Sequence, residues 1–515
     1  MSRFRLAAWN YLTTITASAS SMVLALFTAP VLLMWLGDEK WGAYRILLNV
    51  VGHFGLLEFG LGTAVTAMLV QAYAKGNHEF QERIVGTAFR WYAWVTAVTI
   101  VIGLCGWPIV CWLIPVAPGY VDDLFYGYLI ALGTLLFLPL SPLRIALQAR
   151  QRSYIVTGAL FAQMVMSILL SLLFAYAQFG ISGQVLAHFV GLLASWSIML
   201  LVGYRHVGHV RSRHVRTKPS EETRRRLWSL NGPAFVMEVS GRLSLMSDNI
   251  IVSIVLGPAA VTPFFLTQRL ALLVEAQLQG LANAGWAGLA EMHAKGFHEV
   301  FNQRLLELTK LVTMAGVAIL LPIVVFNEAF MSLWVGEQYY QGGMFTLVTS
   351  ANALLMSMIT VWGMTLRGLG ILRPQAKVFA LQTVVNVTFS IVLTLHLGSI
   401  GPVLGTLISF LSITIWRLPL VLKASFGTSL SGLAHVSIAP IVLGVMQVVM
   451  WDLYSNDWQP TNWLELVAAI LGALTLYSMS AVLLICNQSE RRLWLERVRT
   501  FLGTRRLANT TTVQE

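Results

Sequence analysis

The residues with the greatest capacity for chemistry are ionisable side chains set inside long apolar runs, because charge in hydrocarbon is costly and marks function by default. Segment 230–256 is the richest. Glu238 and Arg242 are four apart and share a helix face, and Asn249 falls close to the same stripe. Asp248 turns away from it by about 80°. Segment 264–290 carries Arg269 and Glu275, with Gln268 and Gln279 on the Glu275 face. Segment 44–70 carries Glu58 beside Gly60 and Gly62, where helices can approach closely. Arg242 and Arg269 can offer forked donors to the oxygens of an anion. Asp248, Glu58 and Glu275 can bind a proton or Na⁺ and so bias one helix arrangement over another. Two readings of Glu238 and Arg242 stand side by side: a ligand-facing pair, or an ion pair that only neutralises two buried charges. The second leaves Asp248 unexplained. Asn10, Thr14, Ser21 and Thr28 form one polar stripe on segment 12–35, which suits either small-residue packing or a cavity wall.

Other polar groups carry less. Asp122-Asp123 has no third ligand nearby and reads as a solvated loop. Cys105, Cys111 and Cys486 lie in apolar stretches without ligand spacing and read as small buried hydrophobes. His206, His209 and His214 lack the spacing of a metal site. No cofactor or metal is expected, beyond a proton or Na⁺ as coupling ion. One set of loops is short, about four to ten residues, too small for the acceptor-binding domain of a membrane polymerase or glycosyltransferase. The expectation is a protein that is not an enzyme.

Long helices must position these groups. The chain of 515 residues is 57% hydrophobic and 11% charged, against about 25% charged in a soluble protein. Its apolar runs reach the roughly 20 residues that cross a bilayer as helix, and they are continuous rather than alternating, which excludes a barrel. The fold class is therefore an all-α integral membrane protein of about 14 transmembrane helices. These fall near 12–35, 44–70, 86–114, 125–147, 154–178, 183–203, 230–256, 264–290, 306–334, 343–366, 378–396, 401–422, 435–453 and 462–486. The first is too long for a signal-peptide core and reads as a retained span. Lys and Arg gather in alternate loops, from Arg3 and Arg5 to the 491–506 tail. The opposite loops have almost none apart from Lys40 and Arg45 after the first span. The positive-inside rule then places both termini in the cytoplasm. This asymmetry, facing anionic membrane lipids, explains the net charge of +11 without invoking nucleic acid.

A repeat runs through the first twelve spans. Ala74-Lys75-Gly76-Asn77-His78-Glu79 is matched by Ala294-Lys295-Gly296-Phe297-His298-Glu299, and at the same offset Leu36-Gly37 matches Leu256-Gly257 and Gly60 matches Gly280. Gly183-Gln184-Val185-Leu186 is echoed by Gly401-Pro402-Val403-Leu404. An even number of spans per unit predicts two similarly oriented six-helix lobes, 1–203 and 230–422, related by an axis along the membrane normal. A basic cytoplasmic linker, 204–229, joins them; two appended helices occupy 423–486 and a basic amphipathic tail 487–515. In that tail Trp494, Leu495, Val498, Phe501 and Leu502 recur at helical spacing between arginines, as in a helix lying on the inner leaflet.

Pro30, Leu36-Gly37, Gly42, Tyr44 and the run Leu56-Leu57-Glu58-Phe59-Gly60-Leu61-Gly62 resemble the opening signature of the polysaccharide-export proteins, or lipid-linked oligosaccharide flippases. Asp248-Asn249-Ile250-Ile251 leading to Leu256-Gly257 is similar to the matching signature of the second lobe. The chain departs from the family at Thr262-Pro263-Phe264, where a glycine and a tyrosine are usual, and at Trp286, near which a proline is common. The superfamily also contains multidrug and toxin extruders and lipid II flippases. The resemblance implies a V-shaped carrier in the bacterial inner membrane that turns polyprenyl-diphosphate-linked oligosaccharide to the outer leaflet by alternating access, driven by an ion gradient. Polysaccharide-assembly proteins are then candidate partners. The alternatives are a multidrug exporter of the same superfamily and a non-transporting component of an assembly complex.

Overall fold

The computed structural model describes residues 26–54, 78–150, 152–207, 221–454 and 458–488, together with the isolated positions 20, 24, 62, 65, 69, 490 and 491. Everything between the turns is helical, and the described residues contain no strand. The chain is an all-α, multi-pass membrane protein. Ten described helices are long and apolar enough to cross a bilayer, or eleven if one bent pair counts as a span. Each segment expected from the third to the fourteenth span has its helix. The stretch Leu372–Phe426 counts as a single apolar run but turns back at Gly398–Ile400, so it supplies both the eleventh and the twelfth span. Most of the first two spans, including Glu58 and the Asn10–Ser21 part of the polar stripe, lies outside the described residues.

The elements begin with α1 (Leu26–Leu36) and α2 (Asp38–His53). Gly37 joins them at φ 75°, a left-handed conformation that glycine takes without steric cost. Its repeat mate Gly257 does the same at φ 92°, between α9 (Glu221–Leu256) and α10 (Pro258–Thr267). The matched Leu-Gly pairs thus mark two corners of one backbone design. Between these corners lie α3 (His78–Cys105), α4 (Trp107–Leu113), α5 (Val121–Gly133), α6 (Ser141–Ala149), α7 (Ser153–Tyr176) and α8 (Gly180–Val207). After them come α11 (Arg269–Ala294), α12 (His298–Trp334), α13 (Gly343–Gly368), α14 (Leu372–Leu397), α15 (Gly401–Ser409), α16 (Ile415–Phe426), α17 (Leu430–Tyr454) and α18 (Trp463–Leu484).

Several spans are broken where the sequence gives a reason. Gly106-Trp107-Pro108 separates α3 from α4, since proline at the start of a helix has no N–H to lose. Pro139 sits in a 3₁₀ turn, Thr134–Leu140, between α5 and α6. A 55° bend separates α10 from α11 just before Arg269. The backbone of the basic run Arg224-Arg225-Arg226, at the end of the expected linker 204–229, belongs to α9. Residues 208–220, with His209 and His214, and the amphipathic tail beyond Arg491 lie outside the described residues.

Burial separates core from lipid-facing helices. In α13, 78% of the most apolar window is buried, against 17% in α7 and in α18, so α13 is central and the other two present most of their surface to the membrane. The appended helices α17 and α18 both pack on α12. Lys310 of α12 ties down the end of α18 by donating to the Ile485 carbonyl at 3.1 Å and to Glu490 at 2.7 Å.

Candidate functional site

The two Gly corners bring α2 against α10 at one end of the bundle. At the closest point nothing but glycine fits: a Cβ on Gly42 would stand 2.1 Å from the Pro258 carbonyl oxygen. Thr262 donates from Oγ1 to the Asp38 carbonyl at 2.8 Å, and the Tyr339 hydroxyl donates to Asp38 Oδ1 at 2.6 Å. Trp334 donates from Nε1 to the Leu26 carbonyl at 2.6 Å. Burial, followed by the bond and charge of Asp38, pushes the Tyr339 phenol up to about 12. This end of the seam is closed.

One helical turn further along α2, Arg45 enters the seam. Its guanidinium carbon lies 3.8 Å from the centroid of the Phe265 ring, and that of Arg269 lies 5.4 Å from the same centroid. Trp41 packs edge-on to Phe265 at 5.8 Å. Arg45 and Phe265 are 220 residues apart, as are Asn49 and Arg269, and as are Gly37 and Gly257. Repeat-related positions therefore meet across the seam, and two cations from different parts of the chain share one ring. Arg45 Nε is buried without a hydrogen-bond acceptor, and no carboxylate pairs with either arginine among the described residues. Arg45 is absent from the sequence-derived candidates because it stood next to an expected loop. It is a residue of α2 with its guanidinium Nε buried, and the sequence signal that could have found it is the repeat offset, which aligns it with Phe265.

Energetics show what this arrangement lacks. An arginine at the centre of a span costs about 2.5–3.5 kcal/mol by insertion scales, and one nearer a span's end costs less. A cation over an aromatic face recovers about 0.5–2 kcal/mol. Two like charges this close repel by about 2 kcal/mol at an effective dielectric of ~20. The ring does not offset both cations, and an anion between them would.

The other candidates are placed as follows. Glu238 and Arg242 do form an ion pair, Nε to Oε1 at 2.9 Å, and it is only partly covered. Arg242 also reaches across the seam and donates from Nη1 to the Gly52 carbonyl of α2 at 2.7 Å. The pair is thus more than an internal neutralisation, because it ties α9 to α2. Asp248 Oδ1 and Asn249 Oδ1 are buried without donors. Glu275 accepts from Gln279 Nε2 at 2.8 Å, as their helical spacing required. Asp123 is not the solvated loop residue expected: its two oxygens accept from the Ile181 and Ser182 N–H groups at 2.6 and 2.9 Å and cap the start of α8. No group of three or more His, Cys, Asp or Glu side chains among the described residues can hold a metal ion.

No protein-family model and no curated protein matches the chain. Solved structures do. A structure of the lipid II flippase MurJ in an inward closed conformation superposes with a TM-score of 0.70 at 12% identity, over 92% of this chain and 99% of that one. An inward-facing multidrug resistance MATE family transporter of the MOP superfamily gives 0.64 at 15%, over 84% and 96%. An outward-facing one gives 0.58 at 14%, over 86% and 96%. Across nearly its whole length, the chain has the fold that these flippase and transporter structures share.

Proposed function

We propose that the chain is an alternating-access carrier that moves polyprenyl-diphosphate-linked oligosaccharide across the bacterial inner membrane. The observation that carries this reading is the pair of unpartnered arginines, Arg45 and Arg269, on opposite sides of one seam and on one ring. A diphosphate supplies the missing charge and enough oxygens for two forked donors, while a polyprenyl tail can stay in lipid. Arg242 stands further along the same seam as a third contact. In this reading residues 1–203 and 230–422 act as two lobes, with both termini cytoplasmic. The closed Gly42–Pro258 end then faces outward and the seam is loaded from inside. Asp248 and Glu275, and Glu58 beyond the described residues, are the coupling carboxylates. Anionic lipids lie against the basic loops, and polysaccharide-assembly proteins are the expected partners.

The MATE likeness favours one other reading, a multidrug exporter. The test separates them. Purified protein in liposomes is assayed for outward movement of a fluorescent undecaprenyl-diphosphate oligosaccharide, and overexpressing cells are scored for drug resistance. Flipping that falls at least tenfold in Arg45→Ala and in Arg269→Ala supports the carrier of anionic lipid. Drug resistance without flipping, or flipping untouched by both substitutions, overturns it.

A further inference from the structure

A second feature of the seam lies on its membrane-facing side. Where the Gly106-Trp107-Pro108 break separates α4 from α3, Trp107 packs on Phe125 and Tyr128 with centroids 4.9 and 5.7 Å away. This leaves a crevice of about 520 Å³. Its walls come from Val50 of α2 and Phe54 just past its end, Ile102 and Cys105 of α3, Ile109 of α4, and Ile250 of α9. The Tyr128 hydroxyl also lines it but is already committed to the Gly103 carbonyl at 2.5 Å. Among the described residues no carboxylate, ammonium, guanidinium or imidazole lines the crevice. Ile102 is 47% and Ile109 62% exposed, so the mouth opens toward lipid rather than water.

An apolar cavity offers water no partners, so in a bilayer its natural filling is hydrocarbon. Two details single out one source. Two bonds tie α9 to the helices that wall the crevice: Ser253 Oγ donates to the Leu113 carbonyl of α4 at 2.8 Å, and Arg242 Nη1 to the Gly52 carbonyl of α2 at 2.7 Å. Gly52 lies between the lining residues Val50 and Phe54, so a headgroup held at Arg242 has its chain beside this wall. We infer that the crevice binds the isoprene units nearest the diphosphate of the carried lipid, with the headgroup turned into the arginine seam. The inference rests on the carrier reading above and adds a tail site with walls from α2 and α9.

The test uses the full-length protein in liposomes and an undecaprenyl diphosphate carrying a diazirine in its first isoprene units. Crosslinked peptides are mapped by mass spectrometry, with a diazirine-bearing phosphatidylglycerol as the comparison. The expected result is labelling concentrated on the peptides holding Val50–Phe54 and Ile102–Ile109. Unlabelled undecaprenyl diphosphate at ten times its Kd should cut that labelling about tenfold. Ile109→Trp, at a lipid-exposed mouth position, should remove it while labelling elsewhere persists. A polyprenyl pattern that matches the phosphatidylglycerol pattern, or labelling that resists competition, overturns the inference. Competed labelling in a protein that does not flip would leave the crevice standing and sink the carrier reading. Flipping without competed labelling would do the reverse.

Discussion

Replacing Gly42 with alanine is the sharpest perturbation the fold offers. The added Cβ would sit 2.1 Å from the Pro258 carbonyl oxygen, 3.0 Å from its carbon and 3.3 Å from Thr262 Oγ1. The threonine hydroxyl can turn aside, but a backbone carbonyl at the start of α10 cannot. An ordinary carbon–oxygen contact of about 3.3 Å then requires α2 and α10 to part by roughly 1 Å. Overpacking of this kind costs typically about 1–3 kcal/mol. In a carrier that alternates, the cost falls only on the arrangement in which this end is closed. The population therefore shifts toward the open-ended state by roughly 5- to 150-fold. The assay is the rate at which a membrane-impermeant maleimide, added from the outer side, labels Val261→Cys in a chain otherwise free of cysteine. Val261 is fully buried next to the contact, so the rate reports the opening. Gly42→Ala should raise it at least fivefold with normal membrane insertion. An unchanged rate at an unchanged protein level would refute the argument that this glycine holds the closed end.

Tyr339→Phe removes the hydroxyl that donates to Asp38 at 2.6 Å and should raise the same labelling rate by roughly 10- to 150-fold, as expected for a lost hydrogen bond to a charged group worth about 1.5–3 kcal/mol. Because the phenol is held up to about 12, its contribution is complete below the ordinary tyrosine value near 10 and fades only as pH rises through about 12; the wild-type rate should show no tyrosine titration between about pH 6 and 9. Asp123→Ala should lower the thermal stability of the purified protein by about 1–2 kcal/mol through loss of the α8 cap, with flipping per folded molecule unchanged; a loss of flipping without a loss of stability would point to some other role. Asp248→Asn should abolish the response of flipping to an imposed proton or Na⁺ gradient while leaving gradient-free exchange, and a mutant that still responds removes Asp248 as the coupling site.

The helix layout was legible because a bilayer demands long apolar runs, and that demand overrides local propensity. The corners at Gly37 and Gly257 were legible as a repeat, although only the backbone explains why glycine recurs there. Within one helix the pairings followed from spacing: Glu238 with Arg242, Glu275 with Gln279. What failed to show was contact between distant segments. Arg45 stood near an expected loop, and only the repeat offset of 220 residues linked it to the phenylalanine it lies on. Asp123 resembled a solvated acid because its acceptors' partners, the Ile181 and Ser182 N–H groups, are backbone and carry no side-chain signature. The breaks at Gly106 and Pro139 sat inside runs read as single spans, since hydropathy averages over a turn that glycine or proline redirects.

The placement of the two arginines also constrains how a carrier could turn over. Arg45 stands on α2 and Arg269 at the start of α11, so an anion held by both is held by both parts of the seam. Such an anion favours the arrangement in which α2 and α10 are together, because parting them pulls the two cations off a common centre. By linkage it must then bind more weakly once this end opens. That is the sense of affinity change needed for loading at one side and release at the other. It also means that the bound cargo opposes the opening step. Something outside the arginine pair has to offset it, and under the proposed function that role is assigned to Asp248 of α9, whose Oδ1 is buried without a donor.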